Sequence, residues 1–215
     1  MAPDHDSDAG YLFPVQSVGT SRVKSQPLRI SGGAFNGRRL QSVPGQLVRP
    51  TSGRVRQALF NMLRPVIRDA IFVDLFAGTG SVGLEAFSRG ARQVYFVEQD
   101  RRVVATLRRN VAQCAVGDQA TIIVAPLPQA VQRLPATLQA DILFLDPPYA
   151  SALAEQTLAA LEPRSLLAPD AIVVWQHAVW HQVPQDVLGR RGIGGKRRRY
   201  GDTQVSIFAF GEMPC

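Results

Sequence analysis

The sequence predicts an α/β protein: a mostly parallel sheet with helices on both faces, closed by a late antiparallel strand. Three observations carry this expectation. From residue 71 to residue 175, short apolar runs alternate with segments of helical spacing, which is the pattern of successive β–α units. The first run, Ile71–Phe76, opens directly onto Ala77-Gly78-Thr79-Gly80-Ser81-Val82-Gly83, a strand followed by a tight turn and a helix start. The ending breaks the alternation: Gly- and Arg-rich residues 186–200 precede Thr203–Phe210, whose period of two is that of a half-buried strand.

In chain order, residues 1–27 mix Asp, Ser, Gly, Pro and Gln without a period and read as a flexible tail. Residues 28–50 read as a β-hairpin extension, with Leu28–Ser31 and Arg38–Val43 as short strands around Gly32, Gly33 and Gly37. Residues 51–215 form the remaining domain. Thr51 or Ser52 caps a helix over about 53–64, with Val55, Leu59 and Met62 on one face. Strands follow at Ile71–Phe76, Gln93–Val97, Ala120–Val124, Asp141–Leu145 and Ala171–Trp175. Helices lie between them over Ser81–Arg89, from Asp100 as cap to Gln113, briefly near 128–134, and over 151–161.

Composition narrows the function classes. At 215 residues, 46% apolar and 19% charged, the chain can bury a core without disulfides or metals. Cys114 and Cys215 form no disulfide framework, and His177 and His181 lack the Glu of a zinc-binding H-E-x-x-H, so no metal is expected. No apolar run approaches the roughly 20 residues of a membrane span. The aspartates at positions 4, 6 and 8 do not suit a signal peptide, so the cytoplasm is the expected compartment, without a membrane partner.

Two motifs carry chemistry. Gly78-x-Gly80-x-x-Gly83 lets backbone approach a cofactor, and Glu98 lies 20 residues after Gly78, where an acid that binds ribose hydroxyls belongs. Read alone, this fits a nicotinamide enzyme. Asp74, inside the first strand, opposes that reading, because its carboxylate repels a pyrophosphate and suits a cofactor with a cationic amino-acid end, such as S-adenosylmethionine. The second motif is Asp146-Pro147-Pro148-Tyr149 after Ile142–Leu145. The prolines fix a rigid extended exit from the strand. The Asp146 carboxylate and the Pro147 carbonyl then offer two acceptors to one planar amine, and Tyr149 can stack on the base that bears it. Such an amine is a weak nucleophile, and hydrogen bonds to both its protons favour the geometry of attack.

These residues resemble the S-adenosylmethionine-dependent methyltransferases, and more closely the bacterial family that methylates guanine N2 in the 16S RNA of the small ribosomal subunit. The resemblance runs from Arg29 to Phe210. It is narrowed by Arg49-Pro50-Thr51 with Arg54-Val55-Arg56, and supported by Tyr200-Gly201-Asp202-Thr203. It implies a Rossmann-like class I methyltransferase fold with a seven-stranded sheet. It also implies cofactor contacts at Asp74, Phe76, Gly78, Gly80 and Glu98, and target-base contacts at Asp146, Pro147 and Tyr149. The chain departs from the family at two places. Pro126 stands where an acid usually meets the adenine amine, which leaves the Leu127 N–H for that base, and Gln176 stands where Glu is common.

Net charge is +7, and all basic residues but Lys24 and Lys196 are arginines. They cluster on both sides of the core: Arg29, Arg38, Arg39, Arg49, Arg54 and Arg56 before it, Arg197, Arg198 and Arg199 after it. Clustering around a base-modifying motif favours RNA contact over a merely solvated face. The expected partner is 16S ribosomal RNA in a small subunit or assembly intermediate, met by an active monomer. A DNA adenine-N6 methyltransferase and a non-catalytic ribosome assembly factor of the same fold stand as alternatives.

Overall fold

The computed structural model describes residues 27–43, 52–148, 151–184 and 193–209. Seven strands form one sheet: β1 (Ile71–Asp74), β2 (Gln93–Glu98), β3 (Ala120–Val124), β4 (Ala140–Leu145), β5 (Leu167–Ala178), β6 (Ile193–Tyr200) and β7 (Thr203–Ala209). Their order is β3-β2-β1-β4-β5-β7-β6, and only β7 runs against its neighbours. Four helices cover the faces: α1 (Gly53–Met62), α2 (Ser81–Ser88), α3 (Arg101–Cys114) and α4 (Leu153–Leu161). The chain reverses sheet direction after β3, so the carboxyl ends of β1, β2 and β4 meet at the switch point where α/β sheets bind ligands.

The strands are buried on both sides, so their residues divide alternately between two apolar clusters. Phe72, Phe96, Phe144 and Val174 join Leu59 and Phe60 of α1, Leu84 of α2 and Leu107 of α3. Val73, Val97, Leu143, Leu145 and Trp175 join Leu158 and Leu161 of α4 on the opposite face. The helix starts follow the expected capping. Ser52 Oγ accepts from the Val55 N–H at 3.3 Å, and the Asp100 carboxylate accepts from the Arg102 N–H at 2.8 Å.

Four elements differ from the sequence reading. β5 runs over Leu167–Ala178 rather than Ala171–Trp175. β1 ends at Asp74, with Leu75 and Phe76 already in the turn. Residues 129–133 form a 3-10 turn rather than an α-helix. β6 is a full strand where the sequence is rich in Gly and Arg. Its Lys196–Arg199 run has no apolar alternation because it forms the exposed edge of the sheet, where charge blocks edge-to-edge pairing.

The segment before α1 folds back as a tight hairpin. Ile30 N–H donates to Arg38 O at 3.0 Å, and Leu40 N–H to Leu28 O at 2.8 Å. Ile30 and Leu40 are buried in the same cluster as α1 and α2. A buried carboxylate fastens it: Glu85 accepts from the Ser31 N–H at 2.7 Å and the Ser31 hydroxyl at 2.9 Å, and pairs with Arg56 at 3.2 Å and Arg89 at 2.8 Å. Asn110, also fully buried, bonds Gln41 of the hairpin and the Thr79 carbonyl of the glycine loop.

Candidate active site

Three carboxylates converge at the switch point. The register places Asp74 opposite Phe96 of β2 and Phe144 of β4, so Glu98 and Asp146 each lie two residues beyond its rung. Asp74 is 1% exposed. Its Oδ2 accepts from the Gly83 N–H at 3.0 Å, while Oδ1 has no hydrogen-bond partner among the described residues. Burial first, then the charges of Asp146 and Glu98, push its pKa up to about 8, against the lowering effect of the Gly83 hydrogen bond. A buried acceptor without a partner is rare and calls for a cationic or hydrogen-donating ligand.

Glu98 organises the loops on either side of it. Oε2 accepts from the Gly78 N–H at 3.0 Å, and Oε1 from the N–H groups of Gln99 and Asp100 at 2.8 and 2.9 Å. Oε1 has both lone pairs engaged by these N–H groups, and Oε2 retains its second lone pair for a ribose hydroxyl. Gly80 is left-handed, with φ 84°, and a Cβ there would lie 2.4 Å from Leu107 Cδ1. Gly83 lets α2 lie on β2, because its Cβ would stand 2.3 Å from the Phe96 ring. Gly78 faces open space. Phe76 is half-buried beside the loop, packed against the α4-side cluster.

Pro126 ends β3 in a different way from the expected acid. Its carbonyl accepts from the Ala130 N–H at 2.8 Å and starts the 3-10 turn. The next N–H, that of Leu127, makes no hydrogen bond among the described residues, and the Leu127 side chain packs on the core.

At the end of β4, Pro147 is buried and Asp146 is half-exposed. Gln176 Nε2 donates to Asp146 Oδ2 at 2.8 Å, which orients the carboxylate. Sequence reasoning marks Gln176 only as a departure; its role as a donor comes from β5 lying beside β4. Tyr149 and Arg49 lie outside the described residues.

The predicted RNA contacts divide. Arg29, Arg39, Arg54, Arg197, Arg198 and Arg199 are exposed. Arg38 is half-buried, with its guanidinium over the Phe35 ring at 4.8 Å. Arg56 is a correction: it is 2% exposed, pairs with Glu85, donates to the Arg29 carbonyl and cannot meet a phosphate. Helix position made it look available; a carboxylate 29 residues away takes it inward.

Comparison with known proteins identifies the family. The family model described as "Conserved hypothetical protein 95" matches residues 28–209. The ribosomal RNA small subunit methyltransferase D of Escherichia coli is 37% identical over 160 residues, covering 74% of this chain and 79% of that protein. The chain belongs to this methyltransferase family. The methyltransferase D of Haemophilus influenzae is 35% identical over 161 residues, covering 74% of this chain and 82% of its own length. A solved Escherichia coli structure, described as a proposed methyltransferase, superposes with a TM-score of 0.74 at 32% identity, over 85% of this chain and 97% of that one. The family is thus matched along the hairpin as well as the sheet. Among the described residues, no helix is long and apolar enough to cross a membrane.

Proposed function

We propose that this chain methylates the exocyclic N2 amine of a guanine in 16S ribosomal RNA, using S-adenosylmethionine. Family membership supplies the methyl transfer and the ribosomal RNA of the small subunit. The observation that carries the choice of an amine is the fixed pair of acceptors at the end of β4, Asp146 held by Gln176 and Pro147 on a rigid exit.

The residues present fit the cofactor. Asp74 Oδ1 is a buried acceptor for its ammonium, Glu98 an acceptor for a ribose hydroxyl, and the Leu127 N–H a donor to the adenine. Gly78, Gly80 and Phe76 belong to the turn beside Asp74, where the cofactor would lie. When bound, S-adenosylmethionine supplies an electrophilic methyl on a sulfonium. Asp146 and the Pro147 carbonyl receive the two N–H groups of the guanine amine and turn its lone pair toward that methyl, with Tyr149 stacked on the base. Asp146 would accept the proton that the amine nitrogen sheds once the methyl has passed from sulfur to it, the C–S electron pair staying on sulfur. Orientation supplies most of the acceleration.

The exposed arginines Arg29, Arg39, Arg54 and Arg197–Arg199 fit phosphate contacts, and the same role is assigned to Arg38 and Arg49. The division into a tail over 1–27, a hairpin over 28–50 and a methyltransferase domain over 51–215 belongs to the same reading. So do a cytoplasmic setting, work as a monomer and a substrate inside a small subunit or assembly intermediate. Asp146→Ala tests it: labelled methyl transfer to small subunits should fall by about a hundredfold or more, with cofactor affinity nearly unchanged. Full transfer by the variant would overturn the reading.

A further inference from the structure

We propose that the end of β5, beside the Asp146–Pro148 exit, is a stacking site for an RNA base that flanks the target guanine, with Trp180 as its platform. This rests on the methyl-transfer reading above. Trp180 is 65% exposed and is the exposed large apolar residue among the described ones. It lines a cleft with Pro147, Pro148, Ser151, Trp175 and His181. The cleft is shallow, with room for about 10 Å³, the space of one water, so a base lies on the exposed indole face rather than inside the cleft.

The walls are aromatic and fixed. The His181 ring lies 5.3 Å from Trp175, 5.6 Å from His177 and 6.4 Å from Trp180. His181 Nε2 lies 3.3 Å from Glu155 Oε1 of α4, without hydrogen-bond geometry. His177 is buried; its Nδ1–H donates to the Ala178 carbonyl and its Nε2 accepts from Ser206 Oγ, each at 2.9 Å. Burial lowers its pKa, and the neutral ring stands edge-on to Trp175, with 71° between the planes.

Charge favours nucleic acid as the occupant. Trp175 pairs with Ser206 and Ser206 with Arg197; His177 pairs with Gln204 and Gln204 with Arg199. Residues directly opposite across a sheet share a face. Arg197 and Arg199 therefore stand on the same face as Trp175 and His177, at the exposed edge. An aromatic cleft with a cationic edge, one step from the target amine's acceptors, matches a base and its phosphates. Stacking is tolerant of base identity, so the site adds affinity and register without reading sequence.

The test compares wild type, Trp180→Ala and Trp180→Phe. It measures binding of a short single-stranded RNA oligonucleotide, and methyl transfer to protein-free 16S RNA and to unmodified small subunits. Trp180→Ala should weaken oligonucleotide binding about tenfold and raise KM on both methyl acceptors to match, with Trp180→Phe within about threefold of wild type. Wild-type behaviour of Trp180→Ala in both assays would overturn the proposal. So would a loss confined to assembled subunits, which would give Trp180 to a ribosomal protein. If wild type transfers no methyl, the guanine reading fails, and oligonucleotide affinity alone decides the stacking site.

Discussion

Glu85 and Asp74 are both buried carboxylates within one β–α unit, yet they do opposite things. Both Glu85 oxygens are engaged inside the chain, by Ser31, Arg56 and Arg89. Asp74 has one oxygen engaged and one without a partner, and the neighbours that influence it include two more carboxylates. The first is architecture, a latch that holds the hairpin on α1 and α2. The second is destabilising as it stands and makes sense only with a cation beside it. Burial of a charge does not mark a site; burial without an internal partner does.

The comparison breaks most readily at the latch. Arg56→Ala leaves Glu85 buried beside a lost partner, and thermal or denaturant unfolding should show a loss of about 3–5 kcal/mol. A loss within experimental error would mean that the latch is not structural. At the other carboxylate, Asp74→Asn should weaken S-adenosylmethionine binding at least tenfold by calorimetry while raising the melting temperature of the ligand-free protein at pH 8. The sign follows from linkage. A raised folded pKa means that Asp74 takes up a proton on folding, so its contribution is full below about pH 4 and is lost as pH rises through about 8. The wild-type melting temperature should therefore fall over that window by more than the variant's. Cofactor affinity should rise over it, as the carboxylate ionises.

Gln176→Ala removes the donor on Asp146. A fall in kcat of about tenfold with cofactor affinity intact is expected, the scale of one charge-assisted hydrogen bond. The smallest effect on stability comes from the exposed edge. Reversing Arg197, Arg198 and Arg199 to Glu should leave the melting temperature within about 1 °C, since surface charges there contribute little, yet reduce the salt slope of RNA binding by about two or more.

Much of this was legible because local signals agreed with the fold. The runs Ile71–Asp74, Gln93–Glu98 and Ile142–Leu145 are apolar and bounded by turn residues, and the structure pairs them as adjacent parallel strands. Asp74, Glu98 and Asp146 could be named because each lies in or directly after one of these runs. What stayed hidden depends on pairing across long sequence distances. β6 carries four consecutive cations that have no strand period. Arg56 reads as a free helix cation until Glu85 is placed beside it. Asn110, which joins the hairpin to the glycine loop, looks like any polar helix residue. The cluster of Trp175, His177, Trp180 and His181 forms only when β5 runs on to Ala178 and its following turn folds back.

The central claim is methyl transfer to a guanine amine, and nucleoside identity tests it most directly. Unmodified small ribosomal subunits would be incubated with the protein and methyl-labelled S-adenosylmethionine, then digested and resolved by mass spectrometry. The label should appear as N2-methylguanosine, and be lost with Asp146→Ala. Label in any other nucleoside, or none with active cofactor binding, would contradict the account.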